Sequence, residues 1–298
     1  MVVGRDRQRA IVRAMKGRPT IRHRRLCARL HRMRNDTGIE IEQVMAEMGW
    51  SRSTARRKEN ATTSLSVTEV RALCALYRAT AEQEAALVDI AARLREPGWW
   101  QPYAAGATGA FRDFLELESE ADEVRNFEID VVPGLLQTEG YVRALVESWI
   151  PRVSEATAHA RISLRLARRQ RLLTGPSTLW AVMDEAALRP RIVTGRAWRE
   201  QTAALLEFAD HPNITLQVLP FSAGPHPAIG SPFAWLGLPE TDPGVVLLDN
   251  VAGSVAVEDA AEVRRFRDAF DHLRAMALAP AETRTFLATA LREQEKTT

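Results

Sequence analysis

Eight side chains between residues 43 and 58 have the chemistry to read and grip a duplex: Gln43, Ser51, Arg52, Ser53, Thr54, Arg56, Arg57 and Lys58. Arginine forks onto guanine edges or onto phosphates, the hydroxyls of Ser53 and Thr54 can meet either kind of base edge, and lysine supplies a point charge to the backbone. Few groups elsewhere are suited to covalent chemistry. Asp184-Glu185 and Glu258-Asp259 are acidic pairs at the ends of β-prone stretches, where a carboxylate serves as a turn or helix cap more often than as a general acid or base. Gly253-Ser254 lacks the rest of a nucleophile elbow, no glycine-rich phosphate loop occurs, and the six histidines, His211, His226 and His272 among them, show no paired ligand spacing. No catalytic residue, metal site or cofactor is therefore expected, and an enzyme fused to a DNA-reading head is the least supported class.

The elements that must position the eight residues form a helix-turn-helix. Ile41, Val44, Met45 and Met48 recur at helical spacing, Gly49 suits the left-handed residue that ends a helix, and Ser51 is a good N-cap for the next. That second helix, from about Arg52 to Glu59, is short, polar and basic, as a helix entering a major groove must be. A first helix over 21–36, apolar at Leu26, Leu30 and Met33 and studded with Arg22, Arg24, Arg25, Arg29, Arg32 and Arg34, is expected to brace the pair and touch backbone rather than bases. Ser66-Val67-Thr68-Glu69 and Thr80-Ala81-Glu82-Gln83 are capping boxes that open two further helices, through Tyr77 and Arg95. Pro97-Gly98 stops the last, and Trp99-Trp100 follows.

Charge supports this division. The net charge of +2 hides an asymmetry: residues 1–60 hold 16 Lys or Arg against 6 Asp or Glu, and the remainder is net negative. Residues 1–20, with Arg5, Arg7, Arg9, Arg13, Lys16 and Arg18, read as a basic flexible arm that could follow DNA, or as an unstructured start. Cys27 and Cys74 each lie among apolar helical residues without a partner at metal spacing, as reduced thiols of a cytoplasmic protein do. No apolar run approaches the roughly 20 residues of a bilayer span.

Beyond Trp100 the pattern alternates. Helices are expected near 109–121, 138–149, 154–173, 196–210, 259–276 and 280–293, and strands near 123–130, 178–183, 214–219, 233–238, 245–249 and 254–258, making a mixed α/β domain with a single sheet flanked by helices. The overall class is α+β: an all-helical head, 21–98, followed by a sheet-containing domain, 99–298. Arg161, Arg165, Arg168, Arg169 and Arg171 crowd one helix, where such a run is ordinarily a solvated face or else a second anion-binding surface. The apolar but chain-breaking loop 221–230 is a candidate rim for a ligand or partner site, with Gly224, Pro225, His226 and Pro227 joined to Trp99 and Trp100 as the tentative contact set.

The segment from Arg22 to about Trp100 resembles the XRE-type, phage-repressor-like helix-turn-helix, in the actinobacterial version with Gly49-Trp50-Ser51 at the turn and Gly98-Trp99-Trp100 at the exit. Val132-Pro133-Gly134-Leu135-Leu136-Gln137-Thr138-Glu139, Arg168-Arg169-Gln170, Pro212-Asn213-Ile214 and Gln217-Val218-Leu219-Pro220 are similar to the uncharacterised C-terminal domain of antitoxin-like regulators in that group. The likeness covers nearly all of the chain past residue 20. It implies a transcription regulator that occupies an operator in double-stranded DNA, acts as a homodimer, and is encoded with a small partner protein, acidic if it competes for the arginines of the head. Three residues depart from the pattern. Met45 replaces a small Ala, Ala55 replaces Val or Ile, and Lys58 stands where an apolar residue is usual, its stem able to cover the core while its ammonium reaches solvent or phosphate. Asn60 is expected to take the left-handed position where a Gly usually ends this helix. These departures favour an alternative, a protein-interaction scaffold with weakened DNA binding; a metabolite-sensing regulator is the other.

Overall fold

The computed structural model describes residues 21–94, 98–107, 110–148, 152–188, 192–238, 241–250 and 253–296. The basic stretch 1–20 lies outside the described residues. The chain divides into two compact units, Met1–Trp99 and Trp100–Thr298.

Among the described residues five helices build the first unit: α1 Ile21–Asp36, α2 Ile41–Met48, α3 Arg52–Glu59, α4 Val67–Leu76 and α5 Ala81–Arg93. Each starts or stops for a local reason. Gly49 ends α2 at φ 63°, its N–H donating to Met45 O, and Ser51 Oγ accepts from the Thr54 N–H at 3.2 Å to start α3. Both capping boxes form: Ser66 with Glu69 at α4, and Thr80 with Gln83 at α5. The helices close on one apolar core in which Leu26, Leu30, Val44, Val70, Leu73 and Leu87 are buried, each worth roughly 1.5–3 kcal/mol against exposure. Cys27 and Cys74 lie in this core as free thiols, and burial pushes both up to about 11.

The end of α3 corrects the expectation for Asn60. Asn60 keeps φ −84°, and the left-handed residue is Ala61 at φ 55°. The helix runs one residue further before it turns, and the Thr62 N–H then donates to Arg57 O at 2.7 Å. The same device ends α4, where Arg78 stands at φ 55° and the Ala79 N–H donates to Cys74 O.

The second unit contains one six-stranded sheet and six α-helices among the described residues. Its helices are α6 Ala110–Glu118, α7 Glu139–Glu147, α8 Glu155–Thr174, α9 Gly195–Ala209, α10 Ala260–Met276 and α11 Pro280–Lys296. Its strands are β1 Glu123–Glu128, β2 Thr178–Asp184, β3 Ile214–Leu219, β4 Phe233–Leu238, β5 Thr241–Asn250 and β6 Gly253–Val257, in the order β3-β2-β1-β4-β5-β6. The first three are parallel and the last three antiparallel, so the sense of the ladder changes beside β1. Period-2 alternation gives the sheet two apolar faces. Phe127, Val182, Phe233, Trp235 and Val246 project to the face covered by α10, where Val263, Phe270 and Leu273 are fully buried. Val124, Ala181, Met183, Leu216 and Leu236 lie on the other face beneath the remaining helices, with α6 against β4 and β6 and α9 against β3.

The two edges of the sheet are treated differently. Along β3, the Leu278 N–H donates to Val218 O at 2.9 Å and the Val218 N–H donates to Thr283 Oγ1 at 3.0 Å, so the α10–α11 connection seals that edge. Gln217 reinforces the seal through its Nε2, which donates to Arg274 O and Leu278 O. Strand β6 pairs with β5 alone among the described residues.

Candidate nucleic-acid interface

Helix α3 projects its basic residues outward. Arg52, Ser53, Arg56 and Arg57 are exposed, and among the described residues neither the Arg56 nor the Arg57 guanidinium forms a hydrogen bond or ion pair. Gln43, on α2, is exposed as well. Arg52 meets the exposed Glu42 carboxylate, a surface contact worth at most about 1 kcal/mol that a phosphate could replace. Ser51 and Thr54 are partly spent on the start of the helix: Ser51 Oγ lies 2.9 Å from Thr54 Oγ1 and 3.0 Å from Ser53 Oγ. Arg34 leaves the surface to bind within the unit, its Nε 2.9 Å from Glu59 Oε1 and its Nη1 donating to Ile39 O.

Lys58 is the correction in this set. It is only 8% exposed, and its ammonium turns inward to Glu69, 2.8 Å away, and to Ser64 O at 3.0 Å, with the Trp50 ring 5.2 Å beneath it. The stem covers the core as its length allows, but the charge is drawn to the carboxylate that already caps α4. Burial would raise Glu69; the hydrogen bonds from Lys58 and Ser66 outweigh it and hold the carboxyl below its usual range. Of the other departures, Ala55 is fully buried on α3, the helix that packs against α1 and α2, while Met45 on α2 is half-buried.

Three arginines of helix α8, Arg165, Arg168 and Arg169, are drawn into the fold, while Arg171 is exposed. Arg168 forms a two-pronged pair with Glu118, at 2.8 and 2.6 Å, with both side chains almost entirely covered. Arg165 Nη1 donates to Gln137 Oε1 at 2.5 Å and Arg169 Nη1 to Gln137 O at 2.9 Å. Gln137 in turn donates to Val132 O, and Tyr141 Oη accepts from the Val132 N–H. Gln201 completes the knot, accepting from the Thr138 N–H and donating to Leu136 O. The phrase from Val132 to Thr138 is thus a loop tied by side chains from three helices, and its polar groups are consumed in building it. Next to it, burial pushes the Glu128 carboxyl up to about 7, the Asn126 amide opposing and Asp249 and Asp130 adding to the rise. Burial and the neighbouring Arg168 lower Arg165 to about 10. Nothing in the spacing of Glu128 or Gln137 distinguishes them from surface residues; only the fold reveals them.

The tentative ligand set is divided between the two units. Trp99 belongs to the first unit and Trp100 to the second, where Arg112 lies over its ring. His226 packs edge-on against Phe127, and Gly224 takes φ 76° in the turn. Pro227 alone of these residues lines a cleft of about 410 Å³, shared with Ala228, Phe233, Leu248, Val257 and Phe266. Three carboxylates of the acidic pairs accept from backbone N–H groups: Asp184 from that of Ala186, Glu185 from that of Phe221, and Asp259 from those of Ala261 and Glu262. Among the described residues no acidic, histidine or cysteine group is gathered to hold a metal, and no helix is long and apolar enough to cross a membrane.

Residues 25–87 match the model of a helix-turn-helix domain, and residues 111–289 match that of a domain of unknown function (DUF5753). No curated protein and no solved structure matches the chain.

Proposed function

The chain belongs to the DUF5753 family, and from that membership together with its helix-turn-helix head we propose that it is a sequence-specific, DNA-binding transcriptional regulator of the repressor-like XRE type. The observation that carries the reading is the division of labour among its cations. Lys58 and Arg34 are absorbed by the fold, whereas Arg56 and Arg57 stay exposed and unengaged on the helix that follows the turn. One of the three departures behind the scaffold reading is accommodated, because the unusual Lys58 is matched by Glu69 rather than left to disturb the head. In this account the protein is a cytoplasmic homodimer that reads paired half-sites about 34 Å apart or a multiple of it. The C-terminal unit has no catalytic role and receives a small partner protein, which co-purification with the product of a neighbouring small gene would reveal.

The test is the salt dependence of binding. Replacing Arg56 and Arg57 with Ala should weaken operator binding at least tenfold, lower the salt slope by about one per lost phosphate contact, and leave Tm nearly unchanged. Unchanged affinity in that double variant would remove α3 from the groove.

A further inference from the structure

We propose that β6 is the seam of a symmetric dimer, in which two copies pair β6 with β6 antiparallel and set Val255 opposite Val255, joining the two six-stranded sheets into one. This names the surface used by the homodimer proposed above and rests on that reading. The first ground is the contrast between the edges. A bare edge is a template for pairing, and folds blunt it with charge, proline, a bulge or a cover. Edge β3 is covered by the chain's own Leu278–Thr283 segment. Edge β6 reads Ser254-Val255-Ala256-Val257, without charge or proline, and no described backbone group outside β5 bonds to it.

The second ground is register. Asn250 pairs with Gly253, and the pair that closes a two-residue connection is a hydrogen-bonded one. Val255 and Val257 therefore direct their N–H and C=O groups toward β5, and Ser254 and Ala256 direct theirs outward. An antiparallel copy laid along this edge matches Ser254 with Ala256 of the other chain, and the reverse, so every outward group between them finds a partner. The central pair, Val255 with Val255, is then the close, non-hydrogen-bonded kind. Val255 is 52% exposed, one of the few large apolar residues left so, and it lies on the α10 face beside Leu248. Burying two such side chains against each other removes the exposure that the single chain leaves. A twofold axis through the Val255 pair exchanges the two strands, so the contact uses the same edge on both copies and closes at two.

Cysteine at position 255 tests the register. Non-hydrogen-bonded partners stand with Cα atoms about 4.5 Å apart, within the range that a disulfide spans. Under mild oxidation Val255→Cys should cross-link to a covalent dimer, while Ala256→Cys, lying opposite Ser254, should not; the buried native thiols stay silent in both. A second variant, Ala256→Pro, removes an outward N–H yet spares the β5 ladder, and should weaken the dimer at least tenfold in sedimentation while retaining the wild-type circular dichroism. A dimer that sediments normally but fails to cross-link through residue 255 overturns the seam and leaves the homodimer standing. A protein that sediments as a monomer alone and on DNA overturns both.

Discussion

Lys58 and Glu128 are charged side chains that the fold covers, the one paired with Glu69 and the other raised by burial. Glu128 carries a stability consequence with a definite sign. Its folded carboxyl titrates near 7 against an ordinary 4.5, so the folded state holds the proton longer. The second unit is then stabilised most below about pH 4.5 by this group, and that advantage is lost as pH rises to about 7. Glu128→Gln keeps the acceptor for Asn126 and removes the charge; it should stabilise the protein by about 1–3 kcal/mol at pH 8 and have little effect near pH 4.5, read by chemical denaturation. Neither environment was legible in the sequence. The capping box placed Glu69 correctly, but that its carboxylate also receives Lys58 depends on a side chain eleven residues earlier folding back across a turn. Arg56 and Arg57, in contrast, were legible because exposure on a short polar helix needs no partner to be specified.

At the scale of elements, local chemistry was nearly sufficient. Ser51, Ser66 and Thr80 start their helices as caps, and β4 occupies the expected 233–238, because each signal is decided within a few residues. The failures are those that need a neighbour. Helix α8 had the composition of a solvated surface, yet Glu118 and Gln137 come from other elements to receive its arginines. The end of α3 depended on which of Asn60 and Ala61 turns left-handed, a choice set by Ala61 being buried in the core. The matching turn after α4 allows a clean test. Arg78 is exposed at φ 55°, where a Cβ is costly, so Arg78→Gly should relieve strain and raise stability by about 0.5–1 kcal/mol, seen as a higher Tm of the helical head.

For the whole molecule, the division into a basic head and a sheet-containing remainder was visible in the charge distribution and in the change of hydrophobic period near Trp100. The order of the strands was not. It reflects which ladders close over a long range, and here it leaves β1 between a parallel and an antiparallel neighbour. That order also decides which strands become the edges. Because Leu278 and Thr283 occupy the β3 edge, a sheet joined through β6 has nowhere further to grow. Leu278→Pro with Thr283→Val would withdraw both bonds to Val218 and give each molecule two unlike sticky ends. Association should then become open-ended: the wild-type mass plateaus at two copies with rising concentration, and that of the variant climbs without limit toward fibrils. The short connection between α10 and α11 is in this sense a chain terminator, the feature that makes the assembly countable.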